Sequence, residues 1–180
     1  MIMPPGVRKL VLTVHIATSV ALLGAVACFL VLAVTGLASQ DAQTVRAAYL
    51  AMDVIAWLVI VPLTFISLLI GIMQSLASPW GLLQHYWVLA KLLLTVLVTV
   101  VLLLQMKTIG TMARMAAEMT LSDSDPGRAR LSLVVHAAGG LLVLLVPVAL
   151  SVYKPRGRTP HGRRRLRQQR AVPQGRKPAS

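Results

Sequence analysis

Four stretches of this chain are apolar for long enough to cross a lipid bilayer, and that property leaves few folds open. They run from Leu10 to Leu37, Val54 to Leu76, Tyr86 to Met106 and Leu131 to Tyr153. Each reaches the roughly 20 residues that a helix rising about 1.5 Å per residue needs to span about 30 Å of hydrocarbon. The runs are continuously apolar and Leu-rich rather than alternating. They therefore read as helices, which satisfy their own backbone groups in lipid, and not as strands of a barrel. Composition agrees, with 57% hydrophobic residues, 13% charged and a mean hydropathy of +0.76, outside the range of soluble domains. The segments between the runs are too short for a separate soluble domain, and nothing repeats at a solenoid period. The expectation is an all-α fold: one four-transmembrane-helix bundle within residues 1–153, followed by a tail over 154–180.

Charge sets the expected orientation. Arg8 and Lys9 precede the first run, whereas the following loop, "ASQDAQTVRAAYLAMD", carries one arginine and two aspartates. The loop after the third run holds Arg114, Arg128 and Arg130 and weakens the pattern. The tail restores it, since ten of the 18 basic residues lie from Lys154 onward. The positive-inside bias then places both termini in the cytoplasm. The tail "YKPRGRTPHGRRRLRQQRAVPQGRKPAS" has no apolar face and reads as disordered. It suits anionic lipid, at up to about 1 kcal/mol per basic residue. Nucleic acid is disfavoured as a partner, because no aromatic residue is interleaved for stacking and no folded reader is attached. Arg8 and Lys9 ahead of an apolar run also resemble a signal peptide, and "AVAC" ending at Cys28 a loose lipoprotein box. The run continues as "FLVLAVTGL", too long for a signal core, so a retained helix fits better. Cys28 has no partner for an intrachain disulfide and reads as a packing residue.

Polar residues inside the runs are the candidates for function. Lys91 begins a face continued by Thr95 and Thr99. It stands about one turn inside the third helix, just after Trp80, Tyr86 and Trp87, so its stem can carry the ammonium to the cytoplasmic interface and anchor the helix. In the second run Asp53, Trp57, Ile60, Thr64, Ser67, Gly71 and Gln74 follow the four-and-three spacing of an inward face. Small residues repeat every four positions at Ser67, Gly71 and Ser75, and again at Ala17, Ala21 and Ala25. With Gly139 and Gly140 they read as sites of close helix approach. Pro62 and Pro147 read as kinks held by neighbouring helices; no paired interruption marks an inverted repeat.

Four histidines raise the question of a bis-imidazole haem, which needs two rings at one depth. His15 is five residues past Leu10 and His136 five past Leu131 on a helix running the opposite way, so their heights differ by some 15 Å in a core of about 30 Å. They do not share an iron. His85 sits at the interface and His161 in the tail. The same counting gives an inner layer of His15 and Lys91 and an outer layer of Asp53 and His136. The outer pair reads as a hydrogen-bonded couple or the mouth of a proton path, or Asp53 as a solvated cap on the second helix. No nucleophile elbow, phosphate-binding loop or zinc-ligand spacing occurs, and no cofactor or catalytic residue is expected.

In "SPWGLLQHYWVLAKLLLTVLVTVVLLL", "LVLTVHIATSVALLGAVACFLVLAV", "AQTVRAAYLAMD" and "LSVYKPRGRTPHG" the chain resembles a family of small four-helix bacterial integral membrane proteins, a domain of unknown function common in actinobacteria. The resemblance covers roughly Arg8 to Gly162. It implies a plasma-membrane protein with four helices and no established activity, cofactor or catalytic residue. The layout is also loosely similar to four-helix cytochrome and copper-resistance membrane proteins, against which the histidine depths argue. The expected function is a non-enzymatic membrane protein that packs against itself, as a homo-oligomer, or against a membrane partner. The alternatives are a small proton-coupled permease using Asp53 and His136, and a haem-binding membrane oxidoreductase.

Overall fold

The computed structural model describes residues 4–77, 86–118 and 127–153. The expectations for the basic tail, Trp80, His85 and His161 lie outside the described residues. Among the described residues there are five α-helices: α1 Pro5–Ala38, α2 Ala42–Ile55, α3 Val61–Ala77, α4 Tyr86–Ala117 and α5 Gly127–Tyr153, with a π-helical turn, Ala56–Ile60, joining α2 to α3. Among the described residues four helices are long and apolar enough to cross a membrane, the second being α2, the π turn and α3 in one rod. Consecutive spans are neighbours and the fourth closes on the first, giving an up-and-down bundle. Apolar side chains cover its outside, among them Leu58, Leu69, Leu104, Leu142 and Val152, as a chain in contact with lipid requires.

Most spans are longer than their apolar runs. The segment read as a loop, "ASQDAQTVRAAYLAMD", is mostly α2: Asp41 caps it, accepting from the Thr44 N–H at 2.9 Å, and Val45, Ala48, Tyr49 and Met52 bury one face at helical spacing. Likewise α4 continues beyond Met106 to Ala117, burying Ile109, Met112, Ala113 and Ala116. The rod from Ala42 to Leu76 has 35 residues, about 52 Å, far more than hydrocarbon thickness demands. The core is accordingly concentrated at the end of the bundle where α1 meets α2 and α4 approaches α5. We call this the loop end, and the opposite end, where α1 begins and α5 finishes, the terminal end.

The π turn corrects the expected inward face. In it the Val61 N–H donates to the Ala56 carbonyl, five residues back, which makes room ahead of Pro62, whose ring would crowd the carbonyl four residues earlier in an α-helix. One inserted residue shifts the helical phase. Ile60, Thr64 and Ser67 are buried as expected, but upstream the buried positions are Ala56 and Met52, and Trp57 faces outward.

Three packing expectations fail for related reasons. Ala17 and Ala21 face outward, because the buried face of α1 is Leu22, Val26, Phe29 and Ala33. Cys28 is exposed beside that face rather than packed. A side-chain carbon added at Gly139 or Gly140 would meet nothing within 4 Å, so these glycines border open space instead of a close helix contact. The Ser67–Gly71 stripe does pack, against the first turns of α1. Gln74 Nε2 donates to the Val11 carbonyl at 2.9 Å, a carbon on Gly71 would stand 3.4 Å from the His15 ring, and Ser19 and Ser67 share a 3.1 Å hydrogen bond. Positions 11, 15 and 19 thus meet 74, 71 and 67 in an antiparallel ladder. The close approach in α1 is at Gly36, where an added carbon would lie 2.7 Å from Tyr49 Cζ.

Candidate functional site

Between the spans lies a cavity of about 270 Å³, near the small end of ligand pockets, which begin at about 300 Å³. All four spans line it, through residues such as Phe29, Ile60, Thr64, Gln105, His136 and Gly139. Its position follows from local structure. Below the loop-end core the inward side chains thin out, Thr64 and Thr99 turn their hydroxyls onto the carbonyls of Ile60 and Thr95, and Gly139 and Gly140 supply no bulk. The walls are apolar, and three polar groups punctuate them: Thr64, Gln105 and His136.

Gln105 and His136 belong to one network. Gln105 Nε2 donates to Ser132 Oγ at 3.2 Å, while His136 Nδ1 lies 2.7 Å from the Ser132 carbonyl and 3.2 Å from Ser132 Oγ. A carbonyl only accepts, so Nδ1 carries the proton and a neutral ring keeps Nε2 as an acceptor. The network therefore offers a fixed polar contact in an apolar wall.

The other residues singled out by the sequence are placed as follows. Lys91 donates to Ser151 of α5, two residues before that helix ends, and Ser151 in turn donates to the Pro147 carbonyl. His15 is half-buried against Gly71 at the same end, close enough to Lys91 to feel its charge, and its buried Nδ1 has no hydrogen-bond partner. Lys91 and Gln105 are 14 residues apart on unbroken α4, about 21 Å at 1.5 Å per residue, so His15 and His136 occupy opposite halves of the bundle. Asp53 sits at the level of Gly110 on α4, with Oδ1 buried and unpartnered. His136 is committed to Ser132, and among the described residues no hydrogen bond joins it to Asp53. The structure thus brings Lys91 to Ser151 and links His136 to Gln105 through Ser132, and among the described residues it joins Asp53 to neither.

Sequence reading missed Gln105 and Ser132, which lie 27 residues apart on separate helices, and also a polar group at the loop end. There Arg46 Nε, Tyr49 Oη and Arg130 Nε are buried with no hydrogen-bond partner among the described residues, as is Asp53 Oδ1. The signal in the sequence is the helical spacing of Arg46, Tyr49 and Asp53, which the polar composition of the segment masks. No protein-family model, characterised protein or solved structure matches the chain.

Proposed function

We propose that this is a four-span protein of the cell membrane, with both termini cytoplasmic, that works by binding rather than catalysis and holds an apolar, membrane-dissolved molecule in its central cavity. The observation that carries the reading is the cavity itself: about 270 Å³, bounded by all four spans and apolar but for a few fixed polar groups. Such a site gains affinity from burying apolar surface and orientation from the Gln105–Ser132–His136 network. The basic tail rests on anionic lipid in this reading, and membership of the small bacterial family that the sequence resembles is part of the same proposal.

The test is to purify the full chain in mild detergent and determine by mass spectrometry what is retained. One compound enriched over bulk lipid and lost from Gly139→Leu, which fills the cavity where space is open, is the expected result. Retention of nothing beyond bulk lipid, or equal retention by Gly139→Leu, sinks the reading. A second reading is proton-coupled transport, favoured by the buried unpartnered oxygen of Asp53. Proton flux into proteoliposomes that disappears in Asp53→Asn would select it.

A further inference from the structure

Directly above the cavity, toward the loop end, the bundle holds buried polar groups that its own fold leaves unused. Tyr49 is 1% exposed and its hydroxyl, packed against the bare backbone of Gly36, has no hydrogen-bond partner among the described residues. Arg130 of α5 is near enough for its charge to act on Tyr49, and its Nε is buried and unpartnered. Burying a hydroxyl or a guanidinium N–H with nothing to accept from it is costly, and native structures rarely leave such donors empty. Arg130 stands one helical turn from Leu133, which lines the cavity, and Ile60 and Ile109 line it from the other spans. Arg130 is therefore about one helical turn beyond the chamber's wall, which Arg130 and Tyr49 do not themselves line.

Charge narrows the occupant. Among the described residues, the partly buried charged groups at this end are Arg46, Arg130 and Asp53, a net single positive charge. Asp53 turns to Gly110 of α4, whereas Tyr49 packs on Gly36 of α1, so the carboxylate is not aimed where the tyrosine hydroxyl is. We propose that the molecule held in the cavity is an amphiphile with a singly negative head, a carboxylate or a phosphodiester, which accepts hydrogen bonds from Arg130 and Tyr49 while its tail fills the chamber below. This inference rests on the cavity reading and adds the chemistry of the head. An anion there satisfies the stranded donors through charge-assisted bonds, balances the excess charge and leaves the apolar walls to the tail.

The experiment uses the full chain in neutral detergent and three probes sharing one oleoyl tail: oleate, at a pH where it is ionised, oleoyl-lysophosphatidylglycerol, and uncharged monoolein. Binding is read from the concentration dependence of thermal stabilisation. At least one anionic probe should bind roughly tenfold more tightly than monoolein, as charge-assisted bonds imply; the tighter of the two identifies the head. Arg130→Gln and Tyr49→Phe should each reduce that preference severalfold, and Gly139→Leu should weaken all three probes alike. Monoolein binding as tightly as both anions would overturn the anionic head and leave the cavity reading standing. Binding of none would overturn both, as would Gly139→Leu leaving all three unchanged. A preference that survives in both Arg130→Gln and Tyr49→Phe would overturn the placement. Tyr49→Phe removes a single oxygen and carries the test if Arg130→Gln fails to fold.

Discussion

The two ends of the bundle handle polar atoms in opposite ways. At the terminal end most of the polar side chains named above pair across a helix seam: Gln74 with the Val11 carbonyl, Ser19 with Ser67 and Lys91 with Ser151, while the His15 Nδ1 is an exception. At the loop end, beside an apolar core that includes Val45, Met52, Ile109, Met112 and Leu133, stand Arg46, Tyr49, Asp53 and Arg130, and among the described residues none of these four has a partner for its buried atom. Lipid gives spans little hydrophobic reason to associate, so the terminal end depends on small residues and hydrogen bonds as glue. The loop end, where α2 and the last turns of α4 extend beyond their apolar runs, packs as a water-soluble core does. Its stranded polar groups are not glue. The contrast ties the terminal end to holding the spans together and the loop end to receiving something from outside the chain.

The sharpest way to break this comparison is with glycines. A branched carbon at Gly36 would drive into the Tyr49 ring, which the loop-end core holds fixed, so Gly36→Val should cost on the order of 1–3 kcal/mol as overpacking does. Gly140→Ala meets open space and should be neutral or stabilising by up to about 1 kcal/mol, the helix-propensity gain over glycine. Thermal unfolding in one detergent checks both. Equal tolerance at the two sites would mean that the loop end is no better packed than the rest.

The four spans were legible because an unbroken apolar run has few other physical solutions. Their ends were not, since a helix that leaves the hydrocarbon takes on polar residues and stops looking like a span; α2 carries Gln43, Thr44 and Arg46 within its first turns. Its buried face at Val45, Ala48, Tyr49 and Met52 is a helical periodicity that the polar composition of the segment masks. The π turn is a different case. Pro62 was the visible cause, but the inserted residue that moved burial from Trp57 to Ala56 depends on a hydrogen bond that no residue pattern announces. Of the candidate polar residues, Ser132 stands four before His136 on one helix and is within reach of spacing alone, whereas Ser151 and Gln105 become neighbours of Lys91 and of the Ser132–His136 pair only through rotation about helix axes, which one sequence does not encode.

A smaller effect should come from the polar ladder. Ser19→Ala and Ser67→Ala, with the double variant, should give a coupling of about 0.6 kcal/mol and no more than about 1.7, the range for hydrogen bonds between spans. No coupling would remove the ladder as glue and with it half of the contrast. Lys91 should matter less still. Ser151 stands two residues from the end of α5, so the ammonium bonded to it is close to an interface, and its stem can complete the reach. Lys91→Arg should be tolerated, and Lys91→Leu should change stability by less than about 0.5 kcal/mol, as substitutions outside a packed network do. If both variants inserted correctly and both lost ligand retention, Lys91 would be a site rather than an anchor.

The smallest expected effect tests whether the loop end depends on the hydrogen-bonded carboxylate of Asp41. Asp41 is fully exposed and caps α2; the Thr44 hydroxyl, and after it the Thr44 backbone N–H, hold its carboxyl below the usual carboxylate value, which is about 3.9. A group whose value is lower in the folded state contributes stability that is present above the unfolded value and lost as pH falls through the folded one. The cap should therefore be intact at neutral pH and begin to fail only below about pH 3.9. Because the site is exposed, the result is fraying of one helical turn rather than unfolding of the bundle. Hydrogen exchange should show protection of the Thr44 amide falling below that pH while the amide of Met52, deep in the same helix, keeps its protection. Asp41→Asn, which keeps a capping oxygen but no titrating group, should remove the pH dependence. Should Met52 lose protection together with Thr44, the loop end would be opening as a whole, and its tightly packed core would not be what separates it from the terminal end.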